Sequence, residues 1–157
     1  MSETVDLAVV GAGPAGLAAA TQAAEMGIET VLFDEQATPG GQIYRNVEQV
    51  AAERPQTLNL LGGDYQEGFA QVAAFRRSGA TYQPRTAVWE IAKRTGENAS
   101  ITLGTVADGT AELRHARAVI VATGAMERPL PLPGWTLPGV MGAGAVQTLL
   151  KGSAMIP

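Results

Sequence analysis

Blocks of apolar and polar residues mark out the first elements of the chain. Val5 to Val10 is a short, mostly apolar run bounded by glycine, the pattern of a buried parallel strand. Ala15 to Met26 is rich in alanine and has no β-branched cluster, which predicts a helix, and Gly27 stands where glycine favours a helix end. Thr30 to Phe33 predicts a second strand that ends at Asp34. Strand, helix and strand within about 30 residues form a βαβ unit.

Beyond that unit the pattern is patchier. Thr38-Pro39-Gly40-Gly41 reads as a loop, and residues 46–63 have no firm period and remain unassigned. Asp64 is placed to cap a helix running to Ser78, with Gly79 as its stop and Phe69, Val72, Ala73 and Phe75 as its buried stripe. Thr81 to Gln83 predicts a third strand. Arg85 to Arg94, Ser100 to Val106 and Ala111 to His115 predict an antiparallel meander, turning at Gly96-Glu97-Asn98 and at Asp108-Gly109. Ala118 to Ala122 predicts a separate, continuously apolar strand that runs into Thr123-Gly124. Pro129, Pro131, Pro133 and Pro138 force an extended connection, followed by a short helix near Ala143 to Lys151. No internal repeat or low-complexity tract is evident.

Composition narrows the function classes. The 157 residues suit one domain, in a range of roughly 100–200 residues. The absence of cysteine excludes a disulfide framework, a cysteine zinc site and a redox CxxC pair. A net charge of −4 argues against a nucleic-acid partner, which needs a basic face. No apolar run is long enough for a membrane span, and the acidic start of the sequence is unlike a signal peptide. A cytoplasmic location is expected.

The chemistry concentrates at Gly11-x-Gly13-x-x-Gly16, between the first strand and its helix. Gly11 permits the tight turn, Gly13 lets the backbone approach a pyrophosphate, and Gly16 lets helix and strand pack closely. Phosphates would sit at the helix N-terminus, where free N–H groups and the dipole favour negative charge. Asp34, 18 residues after Gly16, is placed to accept hydrogen bonds from the ribose hydroxyls of an adenosine, with Glu35 as its neighbour and competitor. A carboxylate there disfavours a 2′-phosphate, leaving NAD or FAD. The glycines of Thr38-Pro39-Gly40-Gly41-Gln42 favour FAD, which extends further past the pyrophosphate.

These residues carry a family resemblance. Val9 to Ala20, Phe33-Asp34, Gly40-Gly41-Gln42-Ile43 and Val119 to Ala125 together resemble the FAD-binding start of thioredoxin-reductase-like flavoproteins, within the pyridine nucleotide-disulfide oxidoreductase superfamily. Gly40 to Arg45 and Glu127 to Val140 look like one subgroup, the FAD-containing subunits of opine oxidase, hydrogen cyanide synthase and hydroxyproline or proline dehydrogenase complexes. That subgroup does without a CxxC pair. The resemblance implies an α/β, Rossmann-like FAD-binding domain over residues 1–157, its parallel sheet interrupted by an antiparallel meander at about 85–115. It implies that Gly11, Ala12, Gly13, Pro14, Ala15 and Gly16 hold the pyrophosphate and that Asp34, with Glu35 beside it, meets the ribose. Gly40, Gly41 and Gln42 would follow the ribityl and flavin side. The Val88 backbone would meet the adenine, and Ala122, Thr123 and Gly124 would close over the dinucleotide.

Relatives of this kind continue into an NAD(P)H-binding unit and return to the FAD domain with a late Gly-Asp motif. The expectation is therefore the N-terminal FAD-binding part of a longer protein, incomplete relative to its relatives, with residues from about 126 to 157 leading toward the NAD(P)-binding domain. The implied activity is hydride or electron transfer through FAD in a heteromeric amino- or imino-acid dehydrogenase or oxidase, this chain alone being inactive. Partner oxidoreductase subunits or self-association are expected. The alternatives are an NAD-dependent single-Rossmann dehydrogenase and a nucleotide-binding regulatory or assembly module. No catalytic residue and no metal ligand is proposed. His115, the one histidine, reads as a solvated strand end, Arg45 as a loop arginine within reach of a phosphate or in solvent, and Arg76-Arg77 as a solvated helix end. Trp89 and Trp135 read as core or interface packing.

Overall fold

The computed structural model describes residues 4–93 and 100–156. The turn expected at Gly96-Glu97-Asn98 lies outside them. The βαβ start is as expected: β1 (Thr4–Val10), α1 (Pro14–Glu25) and β2 (Thr30–Phe33). Pro14 occupies the first helical turn, where its missing N–H costs nothing. Leu17, Ala20 and Ala23 turn one face of α1 to the core.

The unassigned stretch contains two short helices, α2 (Val47–Glu53) and α3 (Pro55–Leu60), followed by α4 (Gly63–Arg77). Three expectations for α4 need correction. Asp64 is not its cap: Gly62 holds the N-cap position, without a side-chain cap hydrogen bond, and Asp64 lies in the first turn. Phe69 is exposed, and the buried stripe is Tyr65, Gly68, Val72 and Phe75. Ala73 is only half-buried. The stripe is shifted because Tyr65 can enter the core while its hydroxyl donates to the Arg45 carbonyl at 2.6 Å.

The strands β3 (Thr81–Gln83), β4 (Thr86–Lys93), β5 (Ile101–Ala107) and β6 (Thr110–Val121) complete one six-stranded sheet, ordered β3-β2-β1-β6-β5-β4. Asp108 and Gly109, both at positive φ, make the tight turn between β5 and β6 that the sequence predicts. The expected break between a meander strand and a separate apolar strand does not exist. β6 is continuous, pairing antiparallel with β5 through Ala116 and parallel with β1 from His115 to Val121. The polar run Arg114-His115 and Arg117 resembles a turn in sequence but lies where the strand changes partners. His115 is thus inside a strand, its Nδ1 3.3 Å from Thr102 Oγ1.

Two cores flank the sheet. Leu7, Val9 and Leu32 pack against α1 and α4 through Leu17, Val72 and Phe75, with Val47 and Val50 of α2 alongside. On the other face Ala8, Val10 and Phe33 pack with Leu103 and Ala116, and with Val88 at the margin. β2 and β4 stand far apart in the strand order yet share this core, so the antiparallel half curls back over the parallel half. Thr86 N donates to the Asp34 carbonyl at 2.8 Å and secures the curl. Trp89 lies on the outer surface against Gly104, 58% exposed, and Trp135 is 49% exposed, so neither is a core residue. Residues 132–140 form successive turns instead of the expected extended connection, closed by Trp135 N to Leu132 O and Leu137 N to Gly134 O, both 3.0 Å. They lead to α5 (Ala143–Ser153).

Tyr82 on β3 ties the helical layer to the end of β2. Its ring meets Phe75 edge-on at 6.0 Å, the Arg76 guanidinium lies 5.5 Å above it, and its hydroxyl donates to the Gln36 carbonyl at 3.1 Å. Arg76 also pairs with Glu48 at 3.0 Å, so it is more than a solvated helix end. Burial, reinforced by the Asp34 charge and opposed by Arg76, pushes the Tyr82 phenol well above the ordinary tyrosine range. An unfolded tyrosine loses its proton near pH 10 while folded Tyr82 keeps it. Above about pH 10 the unfolded state therefore binds fewer protons, and stability falls as pH rises. Urea melts at pH 9 and pH 11 should show a smaller alkaline loss in Tyr82→Phe than in the unaltered chain. Equal losses would show that Tyr82 ionises normally.

Candidate dinucleotide site

A cleft of about 450 Å³ opens at the carboxyl ends of β1, β2 and β6. Its size falls in the range of small-molecule sites, roughly 300–1,000 Å³. Its position is where open α/β sheets bind ligands, beside a first strand flanked by neighbours reached in different directions along the chain. The residues after β1 form its floor. Gly11 has φ +102, and a Cβ on it would run into the Ala122 carbonyl. A Cβ on Gly16 would strike the Gly11 carbonyl, so this glycine serves the packing of α1 on β1. Gly13 differs: a Cβ there would meet nothing within 4 Å and would project into free space. Gly41 closes over the same turn, and a Cβ on it would lie 2.7 Å from Gly13 Cα.

Of the residues singled out in the sequence, Gly11, Gly13, Pro14, Asp34, Glu35, Gly41, Gln42, Val88, Ala122, Thr123 and Gly124 line the cleft. Ala12, Ala15, Gly16 and Gly40 lie outside its lining. Ala12 is fully buried and serves the site through its amide, which donates to Asp34 Oδ2 at 2.5 Å. Gly40 N donates to the Ala12 carbonyl at 2.8 Å, locking the second glycine loop onto the first.

Asp34 is held on all sides. Its other carboxylate oxygen accepts from Gln36 N at 2.7 Å, its amide donates to Gln83 O at 3.1 Å, and its carbonyl accepts from Thr86 N. Each carboxylate oxygen keeps a lone pair for a ligand hydroxyl. Glu35 is exposed at the rim.

Sequence reasoning does not single out Phe33, Gln36, Ile43, Thr86 or Ala125 as lining residues. Most adjoin a recognised motif, which is the signal that could find them. Arg45 is half-buried and lines the cleft, which decides against the solvent reading. α5 is clamped beside the second glycine loop. Lys151 Nζ donates to the carbonyls of Gln42 (3.3 Å) and Ile43 (2.8 Å), and Arg54 Nη2 donates to the last carbonyls of the helix, Lys151 O (2.9 Å) and Gly152 O (3.2 Å). Burial and the nearby Arg45 charge lower the Lys151 ammonium below its usual range. His115 is not among the lining residues. Among the described residues no cluster of three or more His, Cys, Asp or Glu could hold a metal ion, and no helix is long and apolar enough to cross a membrane.

The chain is similar to an opine oxidase subunit of Agrobacterium tumefaciens (strain Ach5), at 43% identity over 100% of this chain and 31% of that protein. It is 33% identical to hydrogen cyanide synthase subunit HcnB of Pseudomonas aeruginosa, over 95% of this chain and 31% of that one. It thus spans about a third of the length of these curated relatives. Among solved structures, L-proline dehydrogenase from P. horikoshii superposes with a TM-score of 0.75 at 17% identity, over 99% of this chain and 30% of that chain. Thioredoxin reductase from Streptococcus pyogenes superposes at 0.58 with 21% identity, over 84% of this chain and 39% of that one. These likenesses in structure establish the Rossmann-like fold. Residues 5–151 match the family described as pyridine nucleotide-disulphide oxidoreductase, and with two glycine loops, the carboxylate after β2 and the strand end at Ala122 to Gly124 meeting at one cleft, the chain belongs to that family.

Proposed function

We propose that this chain is the FAD-binding part of an oxidoreductase subunit that works in a heteromeric amino- or imino-acid oxidase or dehydrogenase. The observation that carries the cofactor assignment is the free space over Gly13, bounded by a second glycine loop and faced by the Asp34 carboxylate. Gly11, Gly13 and Pro14 would receive the pyrophosphate at the start of α1, where free backbone N–H groups favour negative charge. Asp34 would accept from the ribose hydroxyls, and its charge would repel a 2′-phosphate, which disfavours NADP in this cleft. Gly41 and Gln42 would line the path toward the flavin, with Ala122, Thr123 and Gly124 opposite. When bound, FAD supplies the hydride and electron chemistry. The residues of the chain bind and orient it and exclude water. The partner assignment is supported by relatives named as subunits of opine oxidase and hydrogen cyanide synthase. The substrate side of the reaction falls to those partners and to the parts of the relatives that this chain does not span.

The protein should take up FAD with yellow absorption bands and quenched flavin fluorescence, and NADH should not displace the flavin. Electron transfer to a dye should need the partner of the complex. Binding of ADP or NAD by a colourless protein that takes no flavin would overturn the FAD reading.

A further inference from the structure

Arg45 is the one formal cation among the described residues lining the cleft, whose other charged groups are the carboxylates of Asp34 and Glu35. A ligand with phosphates meets repulsion from both acids, so a compensating charge matters there. The head of Arg45 is anchored at the end of β2, where Nη1 donates to Gln36 Oε1 at 3.2 Å. Its backbone is fixed by the Tyr65 hydroxyl on its carbonyl at 2.6 Å. Its Nε is buried and has no acceptor among the described protein atoms. A guanidinium presents its donors as a rigid fork, and a buried N–H without an acceptor is unfavourable. Arg45 lines the cleft while its Nε is covered, so an oxygen entering the cleft would complete the arrangement by drawing the guanidinium toward it. Lys151, on the helix beside the second glycine loop, is taken up by the carbonyls of Gln42 and Ile43 and does not line the cleft.

We propose that Arg45 is a cofactor-anchoring residue for the phosphoadenosine half of the dinucleotide, giving a guanidinium N–H to an oxygen there. The inference rests on the dinucleotide reading of the cleft and adds a residue to it. Guanidinium-to-phosphate hydrogen bonds are charge-assisted and geometrically selective. Arg45 thereby offsets the acidity that Asp34 and Glu35 give the same cleft.

Calorimetric titrations with ADP and with FAD, on the unaltered protein, Arg45→Met and Arg45→Lys, test it, with thermal melts on all three. Arg45→Met should weaken both ligands by the same factor, about 10- to 100-fold. Arg45→Lys keeps the charge without the fork and should recover part of the loss. If Arg45→Met fails to fold, the comparison of Arg45→Lys with the unaltered protein carries the test, and a loss of ADP affinity at unchanged melting temperature supports the anchor. Equal affinities in all variants overturn the role of Arg45 and leave the dinucleotide site standing. Equal losses in both variants, accompanied by lowered melting temperatures, would mark the residue as structural and also overturn it. Failure of the unaltered protein to bind either ligand overturns the dinucleotide reading, and this proposal with it.

Discussion

Alanine at Gly13 should leave the protein folded and remove its cofactor, whereas alanine at Gly16, three residues on, should destabilise the fold itself. Gly13 is the N-cap of α1 with φ −75, a conformation open to alanine, and the added methyl meets no protein atom. Its stability cost is the poor capping of alanine relative to glycine, roughly 1 kcal/mol or less. The methyl would fill the space proposed for the pyrophosphate, so FAD affinity should fall at least about tenfold. At Gly16 the methyl strikes the Gly11 carbonyl, and neither backbone can yield without lifting α1 off β1. Overpacking between two backbones should cost roughly 3 kcal/mol, which for a chain of this size lowers Tm by roughly 10 °C. Thermal melts and flavin titrations on the two variants separate the roles. A Gly13→Ala protein that melts early but keeps FAD affinity would reverse the assignment.

That contrast shows where the sequence is legible. The glycine spacing is a local signal: the turn and the helix start lie within a few residues of each other. The same holds for Asp108-Gly109, whose left-handed conformations fix the β5–β6 hairpin. Features set by distant partners are harder to read. α2 buries only Val47 and Val50 and α3 buries no residue, so neither has an apolar face wide enough to stand out. Periodicity misplaces the buried stripe of α4 onto Phe69 because Tyr65 becomes a core residue only through the Arg45 carbonyl, 20 residues away. β6 looks like two strands because Arg114, His115 and Arg117 are polar. Arg117 pairs with Asp6 of β1 at 3.0 Å, a contact that exists only once the sheet has formed. The site follows the same rule. Its glycines and Asp34 are legible as motifs, whereas the reach of Arg45 across to Gln36 depends on how the second glycine loop is laid over the first.

Asp34→Ala should weaken cofactor binding about 10- to 100-fold and also reduce stability. The two losses have different origins. The binding loss follows from the proposed role of the carboxylate as a charged acceptor for ribose hydroxyls, an interaction of roughly 1.5–3 kcal/mol. The stability loss arises because Oδ2 accepts from the amide of Ala12, which is fully buried, at 2.5 Å. Without the carboxylate that N–H is left without its partner, at a cost of roughly 1–3 kcal/mol. Gln36 N loses its bond at 2.7 Å as well, but Gln36 is exposed and water can replace it. Asp34→Asn separates the effects. Its single carbonyl oxygen can serve the Ala12 amide, so most of the stability should return, while its amide group faces the second donor and accepts nothing. Affinity for FAD should therefore stay reduced in Asp34→Asn when Tm has largely recovered. Urea melts of the FAD-free protein give the first quantity and flavin titration the second. Full recovery of both in Asp34→Asn would mean that the charge is dispensable. Unchanged affinity in Asp34→Ala would place the ribose elsewhere and detach the β2 carboxylate from the cofactor.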